Sequence, residues 1–598
     1  MQEALSDRIK GFASVHGLVI YLIVAWLLTV VEIDWILGEV SVMPHTSLFV
    51  VCESLVGAAI VMLPFLFLPR KWRWLQLVIF FVLVTFNMIN CLYFRNFDEA
   101  MPLRTLWMWQ GVNSFTMAAA KTTVKMTDLI VWALLMLQVG FFWVLREPIR
   151  NRQFGKWMRF WSCIGLCVGL LLMHTYGFAR YKSSINVYDL DAKNLDSYFA
   201  LHYNSSDCAR IGYVEAYLLQ LYNIFVPIQP LSDSEIAEVS NLIERHNNNI
   251  LNNNYADSLT IDNKGKNLIF IIVESLNTSI LGHRVNGEQM TPFVDSLRND
   301  SGVICYDNMH SQVLLGESSD GQFMYNTGLY PLIGQVSVAL DHVGPFPSLC
   351  RELDGYECRE YIGEPASMWY HNETTKAYGY DKLSDKLANG EDLKWDNTIF
   401  QAAMQDLISV KPPFFALITT LTTHGPFLID SVPDGWTSSS QIYGYLLKAN
   451  AFDNALKRFI TDLKEAGIYD NTVIVVASDH HVPPRFINDD AISDERIMLM
   501  ILNSGLTGKS DSRVVGQIDV YPTVLDVMGV SRPHWPGMGQ SLIRNVPGFA
   551  VLKGDKIVGD TTDIDAIELQ KHYWQLSDRM IKSHSFSSLN LYGTPKDQ

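Results

Sequence analysis

Three short apolar runs in this chain lead directly into residues that can bind a cation or handle a proton. Asn267 to Val273 (NLIFIIV) runs into Glu274. Pro413 to Thr420 (PFFALITT) leads to Thr422, Thr423 and His424 in LTTHGPF. Thr472 to Ala477 (TVIVVA) ends in Ser478, Asp479 and His480. Taken singly, these residues are ordinary. An Asp after a strand commonly caps a helix, and a lone His is usually a satisfied polar group. Taken together, Glu274, Asp479 and His480 offer two carboxylates and an imidazole, a donor set that suits a divalent cation.

Such a site needs an element that brings the three residues to one place. The runs are short, continuous and rich in β-branched residues, which suits strands buried on both faces. Ile497 to Leu502 reads as a fourth. Between the second and third runs, Asn454 to Ala466 carries Leu456, Phe459, Ile460 and Leu463 at helical spacing. Alternating strand and helix predict an α/β sheet with helices on both sides, and ligands of such sheets sit at the carboxyl ends of the strands. No GxGxxG or GxxxxGK[ST] loop is present, so nucleotide binding by those devices has no support. Nucleic acid is excluded as a partner on charge, because 46 basic against 62 acidic residues (net -16) give no basic field for a phosphate backbone.

The remainder of the chain has another character. Overall it is 48% hydrophobic and only 18% charged over 598 residues, with the charge deficit concentrated before residue 180. Gly11–Val31, Ser47–Pro69, Trp74–Phe94, Leu129–Leu145 and Phe160–Ala179 are five apolar runs of roughly membrane-spanning length. Arg8 and Lys10 precede the first, Arg70, Lys71 and Arg73 lie between the second and third, and five basic residues lie between the fourth and fifth. The alternate loops carry Glu32, Asp34, Glu39, Asp98 and Glu99. The positive-inside rule then puts the N-terminus in the cytoplasm and everything after residue 180 outside. Trp35, Trp72, Trp74, Trp107, Trp109 and Trp157 near the run ends fit an aromatic belt. Glu53 interrupts a span and reads as a protonated or interhelix-bonded carboxyl. The expected organisation is a membrane domain over 1–180, a connector over 181–265 and an external catalytic domain over 266–598. In the connector, Ser234 to Asn247 has helical spacing and the Asn-rich stretch Asn247 to Asn254 reads as a loop. Cys350 and Cys358 are close enough in sequence to pair on the outside, and no CxxC motif points to a zinc ribbon.

The ordered series FIIVESLN, TPFVDSL, LGESSDGQFMYNTGLYPL, GYDK, TTLTTHGPF, VVASDHH and QIDVYPTVLDVMG resembles the lipoteichoic acid synthase family, in the sulfatase-like branch of the alkaline phosphatase superfamily. The resemblance implies a five-span α-helical transmembrane bundle followed by an α/β alkaline-phosphatase/sulfatase-like domain with a central mixed sheet. It implies a bacterial cytoplasmic (inner) membrane protein with its catalytic domain on the outer or periplasmic side. One divalent cation, Mn2+ or Mg2+ with Zn2+ as a third choice, would be held by Glu274, Ser318, Asp479 and His480. Ser318 would be the nucleophile, standing where the family commonly has Thr, and His424 would contact the substrate phosphate or act in acid–base chemistry. Trp369, His371 and His424 would line the substrate pocket.

The departures from the family pattern lie around that pocket. Glu317 replaces the usual Lys before the nucleophile, and Ile362 and His371 fall where the family has His and Arg. Losing a bidentate phosphate clamp is not conservative, so single-step transfer is expected rather than polymerisation. The expected reaction moves a phosphorylated head group, of glycerol phosphate or phosphoethanolamine type, from a membrane phospholipid to a glycan or lipid acceptor through a covalent phospho-serine. Two alternatives stand beside it: an extracytoplasmic phosphodiesterase using water, and a non-catalytic membrane-anchored binding domain. A true sulfatase would need a C/S-x-P-x-R context, and Ser318 is followed by Ser319, Asp320, Gly321 and Gln322.

Overall fold

A computed structural model describes all residues except 1, 41–47, 98–99, 107–120, 122, 185–210, 227–228, 252–262, 334–335, 339–343, 485, 488–493, 507–510, 588 and 592–598. Trp107, Trp109, Cys208 and Asn252 to Asn254 therefore lie outside the described residues. The chain forms two compact units that divide near residue 227.

In the first unit, each of the five apolar runs is a helix: Gln2–Val40, Leu48–Phe67, Leu75–Phe97, Leu129–Val144 and Lys156–Ser184. Four are long and apolar enough to cross a membrane, and the run Val51–Phe67 is shorter. Glu53 is buried and accepts a hydrogen bond from the Val214 amide at the start of the helix Tyr213–Phe225. That explains its place in an apolar span. The carboxylate meets otherwise orphaned N–H groups at a helix N-terminus. The fit requires Gly212, whose φ is +107° and where a Cβ would stand 2.5 Å from Glu53 Oε1. Arg73 is also buried, and its guanidinium donates to the carbonyls of Ile149 and Arg152 beyond the fourth span.

The second unit is built on an eight-stranded mixed sheet. From one edge its strands are Val515–Gly516, Ile304–His310, Arg496–Leu502, Thr472–Ser478, Asn267–Val273, Phe414–Thr419, Glu357–Ile362 and Lys382–Ser384. Arg496–Leu502 runs antiparallel to both neighbours and the remaining pairings are parallel. Alternation along Asn267–Val273 explains its uninterrupted hydrophobicity. Leu268, Phe270 and Ile272 enter one core, while Ile269, Ile271 and Val273 enter the other. Helices Asp396–Leu407 and Ser440–Glu465 pack on the second of these cores. Ser318–Thr327, Val520–Val527 and Ile564–Ser583 pack on the first.

Two local expectations need correction, and the cysteine pairing that the sequence left open has an answer. The helix read as Asn454 to Ala466 begins at Ser440, where Ser439 Oγ caps it by accepting from the Ile442 amide. The Asn-rich stretch is helical as far as Leu251, because the helix Asp233–Leu251 continues through residues of weak helix propensity. Cys350 and Cys358 are buried side by side without a disulfide, the Cys358 sulfur lying 3.9 Å from the Cys350 carbonyl.

Candidate active site

Strand register assembles the site. Asn267–Val273 lies between Thr472–Ser478 and Phe414–Thr419, parallel to both, with Val273 opposite Ser478 and Ile272 opposite Thr419. The next residues of the first two strands, Glu274 and Asp479, are therefore side by side at the carboxyl edge of the sheet, and Thr420 on the third lies one register step behind them. Backbone bonds carry the alignment past the strand ends: the Asp479 amide donates to Val273 O at 3.0 Å and the Thr420 amide to Ile272 O at 3.0 Å.

Ser318 arrives from the other direction, as the first residue of the helix Ser318–Thr327. Glu317 before it has φ +44° and ψ -110°, a costly conformation for a residue with a side chain. Asp320 holds this turn. Its buried carboxylate accepts from the amides of Leu314 (3.0 Å) and Gly316 (2.9 Å) and from Ser337 Oγ (2.7 Å), and burial pushes its pKa up to about 6. Gly316 has no space for a side chain, since a Cβ would sit 2.3 Å from Asp320 Oδ1. Gly321 lets the helix rest on Asp479, since a Cβ there would sit 2.6 Å from the Asp479 carbonyl oxygen. The result is a Ser318 hydroxyl 2.9 Å from Glu274 Oε2 and 3.0 Å from His480 Nε2.

The electrostatics of this cluster call for positive charge. Ligand atoms of Glu274, Asp479 and His480 lie within 4.8 Å of one another, and all three residues are buried. Asp479 Oδ1 accepts from the amides of Ser275 and His480, both at 2.7 Å, whereas Oδ2 is buried with no hydrogen-bond partner among the described residues. A buried carboxylate oxygen left this way is expensive, and a bound cation would satisfy it. Burial and the neighbouring Glu274 hold the Asp479 carboxyl well above its ordinary range. Burial would raise Glu274 too, but His424 and His480 outweigh it and keep that pKa low. Burial opposes charge on His480, yet Asp479, Glu274 and Glu317 lift its pKa to about 9. Two buried carboxylates thus recruit a proton, and a divalent ion would take its place. The imidazole is oriented for this by its Nδ1, which bonds the His481 carbonyl at 2.7 Å and leaves Nε2 toward the cluster. The residues fit a divalent cation.

Several further residues support the cluster. Ser275, at φ +47°, donates through Oγ to Glu274 Oε1 at 2.5 Å. Thr420 Oγ1 accepts from the Glu274 amide at 3.0 Å, and Thr423 Oγ1 donates to the Glu274 carbonyl. Gln517 donates to the Asp479 carbonyl, and Asp396 Oδ1 accepts from the amides of Leu421 (2.8 Å) and Thr422 (2.9 Å), fixing the turn before His424. Asp519 buttresses rather than ligates, accepting from the Gly516 (3.0 Å) and Gln540 (2.8 Å) amides.

The residues expected to line the substrate pocket are placed as follows. His424 is partly exposed, close enough to Glu274 to lower its pKa, and its carbonyl accepts from Lys448 Nζ at 2.7 Å. Trp369 packs against Leu315, Val336 and Val338, the first of these lying three residues before Ser318. His371 is buried at the start of the helix His371–Tyr378, with Nε2 2.9 Å from Glu364 Oε1 and Nδ1 3.7 Å from Glu360 Oε1.

Comparison with known proteins bears on this arrangement. Residues 266–530 match the Sulfatase family model. The chain is 28% identical over 366 residues to Lipoteichoic acid synthase 2 of Bacillus subtilis, covering 56% of each chain. It is 25% identical over 540 residues to Lipoteichoic acid synthase 1 of the same organism, covering 83% of this chain and 80% of that one. It thus spans just over half the length of the former relative and about four fifths of the latter. The crystal structure of the lipoteichoic acid synthase LtaP from Listeria monocytogenes aligns with a TM-score of 0.47 at 20% identity, covering 56% of this chain and 98% of that one.

Proposed function

We propose that the chain, with a sulfatase-like domain behind multiple membrane helices, is a membrane phosphotransferase of the lipoteichoic acid synthase-like family. The reaction is transfer of a phosphorylated head group, glycerol phosphate or phosphoethanolamine, from a membrane phospholipid to a glycan or lipid acceptor. The observation that carries this reading is the Ser318 hydroxyl at a helix N-terminus, bonded to both Glu274 and His480.

Ser318 Oγ attacks phosphorus, the bond from phosphorus to the diacylglycerol oxygen breaks, and the head group remains on Ser318 as a phosphodiester. The hydroxyl proton has an acceptor in Glu274 Oε2, a carboxylate kept ionised by His424 and His480. His424 donates to the phosphoryl group or protonates the departing diacylglycerol oxygen. In the second half-reaction an acceptor hydroxyl displaces Ser318, which recovers its proton. Glu274, Ser318, Asp479 and His480 would hold the divalent cation, manganese or magnesium, which when bound lowers the pKa of the hydroxyl and offsets charge on the phosphoryl oxygens. The backbone amides of the first helical turn at Ser318 favour the same negative charge.

His371 supports single transfer over polymerisation. Both its ring nitrogens face carboxylates, so it does not replace a guanidinium clamp. The basic loops flanking the spans support a cytoplasmic N-terminus and an external catalytic domain, where the lipid donor is within reach. The test is lipid mass spectrometry on cells carrying wild type or Ser318→Ala. The expected result is diacylglycerol release and a modified acceptor only with wild type. Equal diacylglycerol release from the Ala variant would overturn the covalent mechanism.

A further inference from the structure

Away from the strand ends, the second unit contains a cavity of about 390 Å³ between the helices Asp233–Leu251 and Ile564–Ser583 and the segment from Gly537 to Val546. Its volume is at the lower end for small-molecule sites. Two of its lining side chains pose a problem for a closed fold. Gln570 is 3% exposed, and neither its amide nitrogen nor its amide oxygen has a hydrogen-bond partner among the described residues. Ser541 is 3% exposed and its Oγ is equally without one. Buried polar groups in native proteins are nearly always satisfied, so these three atoms call for a partner that the described residues do not supply.

The chemistry of the lining narrows what that is. Arg544 is buried, but its guanidinium is bonded to both carboxylate oxygens of Asp526, so its charge is already matched. His246 is neutral at physiological pH, because burial pulls its pKa down to about 4. Asp563 is occupied at the helix start, where it accepts from the Ala566 amide. Arg245 is exposed at the rim. Asp563 and Asp565 are exposed, as Arg245 is, so the buried part of the lining offers no uncompensated charge for an anion or a cation. It offers a carboxamide, which both donates and accepts, a hydroxyl and the buried ring of Tyr573.

We propose that this cavity binds a neutral polyhydroxylated ligand, a single hexopyranosyl unit, with Gln570 and Ser541 bonding its hydroxyls and Tyr573 supplying an apolar face. Vicinal hydroxyls are alternately donors and acceptors, which a carboxamide matches pairwise, and the faces of a sugar ring carry C–H groups that pack on an aromatic ring. The inference does not depend on the phosphotransferase reading, because it uses none of the residues at Ser318.

The test uses the full chain in lipid nanodiscs, free of sugar-based detergent. Methyl glycosides of glucose, galactose and mannose are titrated one at a time by saturation-transfer NMR and calorimetry, and inorganic phosphate is titrated in parallel. Saturable binding of at least one glycoside at millimolar concentration or tighter is expected, weakened about tenfold or more by both Gln570→Leu and Ser541→Ala. Thermal melts accompany both variants. If Gln570→Leu fails to fold, Ser541→Ala, which removes one atom, decides alone. The proposal is overturned by no glycoside binding, by binding that survives the substitutions, or by phosphate binding that the same substitutions abolish.

Discussion

Gly321→Ala isolates the contact that positions Ser318, the proposed nucleophile. The added methyl would stand 2.6 Å from the Asp479 carbonyl oxygen and 3.0 Å from its Cα, where ordinary contact begins at 3.4 Å. The helix carrying Ser318 must then move away from Asp479 by about 0.8 Å, because the obstacle is backbone and cannot rotate aside. Two stability effects oppose each other. Alanine in a helix is about 1 kcal/mol better than glycine, and overpacking a close contact costs about 1–3 kcal/mol. The net loss is roughly 0–2 kcal/mol, so the protein stays folded. Activity is far more sensitive. Displacing Ser318 from Glu274 and His480 by nearly an ångström is expected to lower turnover on the order of 100-fold. The assay pairs a thermal melt of the full chain in nanodiscs with diacylglycerol release from a fluorescent-tailed phospholipid. Turnover within about threefold of wild type, with an unchanged melt, would show that packing on Asp479 does not place Ser318.

Asp479→Asn removes one ligand charge and the buried Oδ2, so manganese binding by calorimetry and diacylglycerol release should disappear together; retained metal affinity would contradict its assignment as a ligand. His371 gives a pH-dependent prediction. Burial would lower its pKa, but bonds to Glu360 and Glu364 raise it to about 10, above its ordinary 6.5. A raised folded-state pKa contributes stability that is full below 6.5 and is lost as pH rises toward 10, by about 1.4 kcal/mol for each step of one in pH between those values. His371→Gln should therefore flatten the decline of the melting temperature across that window, and a variant declining as steeply as wild type would refute the pairing. For topology, protease added to intact spheroplasts should degrade the domain after residue 228 and spare the N-terminus, and full protection of that domain would reverse the proposed orientation.

The legible parts of this chain are those where a local pattern and the tertiary environment agree. The three central strands are buried on both faces, so they read as unbroken apolar runs, and parallel register puts Glu274 beside Asp479 with the residues after Thr419 close by. That is why Glu274, Asp479 and His480 group together on sequence alone. The strand Ile304–His310 (ICYDNMH) is half-buried toward its end, and no apolar run announces it. The Asn-rich end of the helix Asp233–Leu251 reads as a loop because helix propensity is weak beside tertiary packing. Asp320, Asp396 and Gln517 are silent for another reason. Each acts through backbone groups distant in sequence or in a neighbouring turn, and a single Asp or Gln carries no spacing that reveals such a partner.

Asp320, together with Asp479 and Tyr445, explains why the site can hold a conformation that its own segments disfavour. Ser275 at φ +47° follows Glu274, and Glu317 at φ +44° precedes Ser318, so strained backbone flanks both residues that share the Ser318 hydrogen bond. Each such residue costs about 1–3 kcal/mol. The Ser275 turn is held by its amide bond to Asp479 and by Tyr445, whose hydroxyl donates to the Ser275 carbonyl at 2.6 Å and accepts from the Asn277 amide at 2.9 Å. The Glu317 turn is held by the three bonds to Asp320. Hydrogen bonds of this kind contribute about 0.5–1.5 kcal/mol each, more when the acceptor is ionised, so three per turn offset the strain. The hydroxyl is thereby fixed against the carboxylate and imidazole before any substrate arrives, which is the preorganisation that the proposed role of Ser318 as a weak oxygen nucleophile requires.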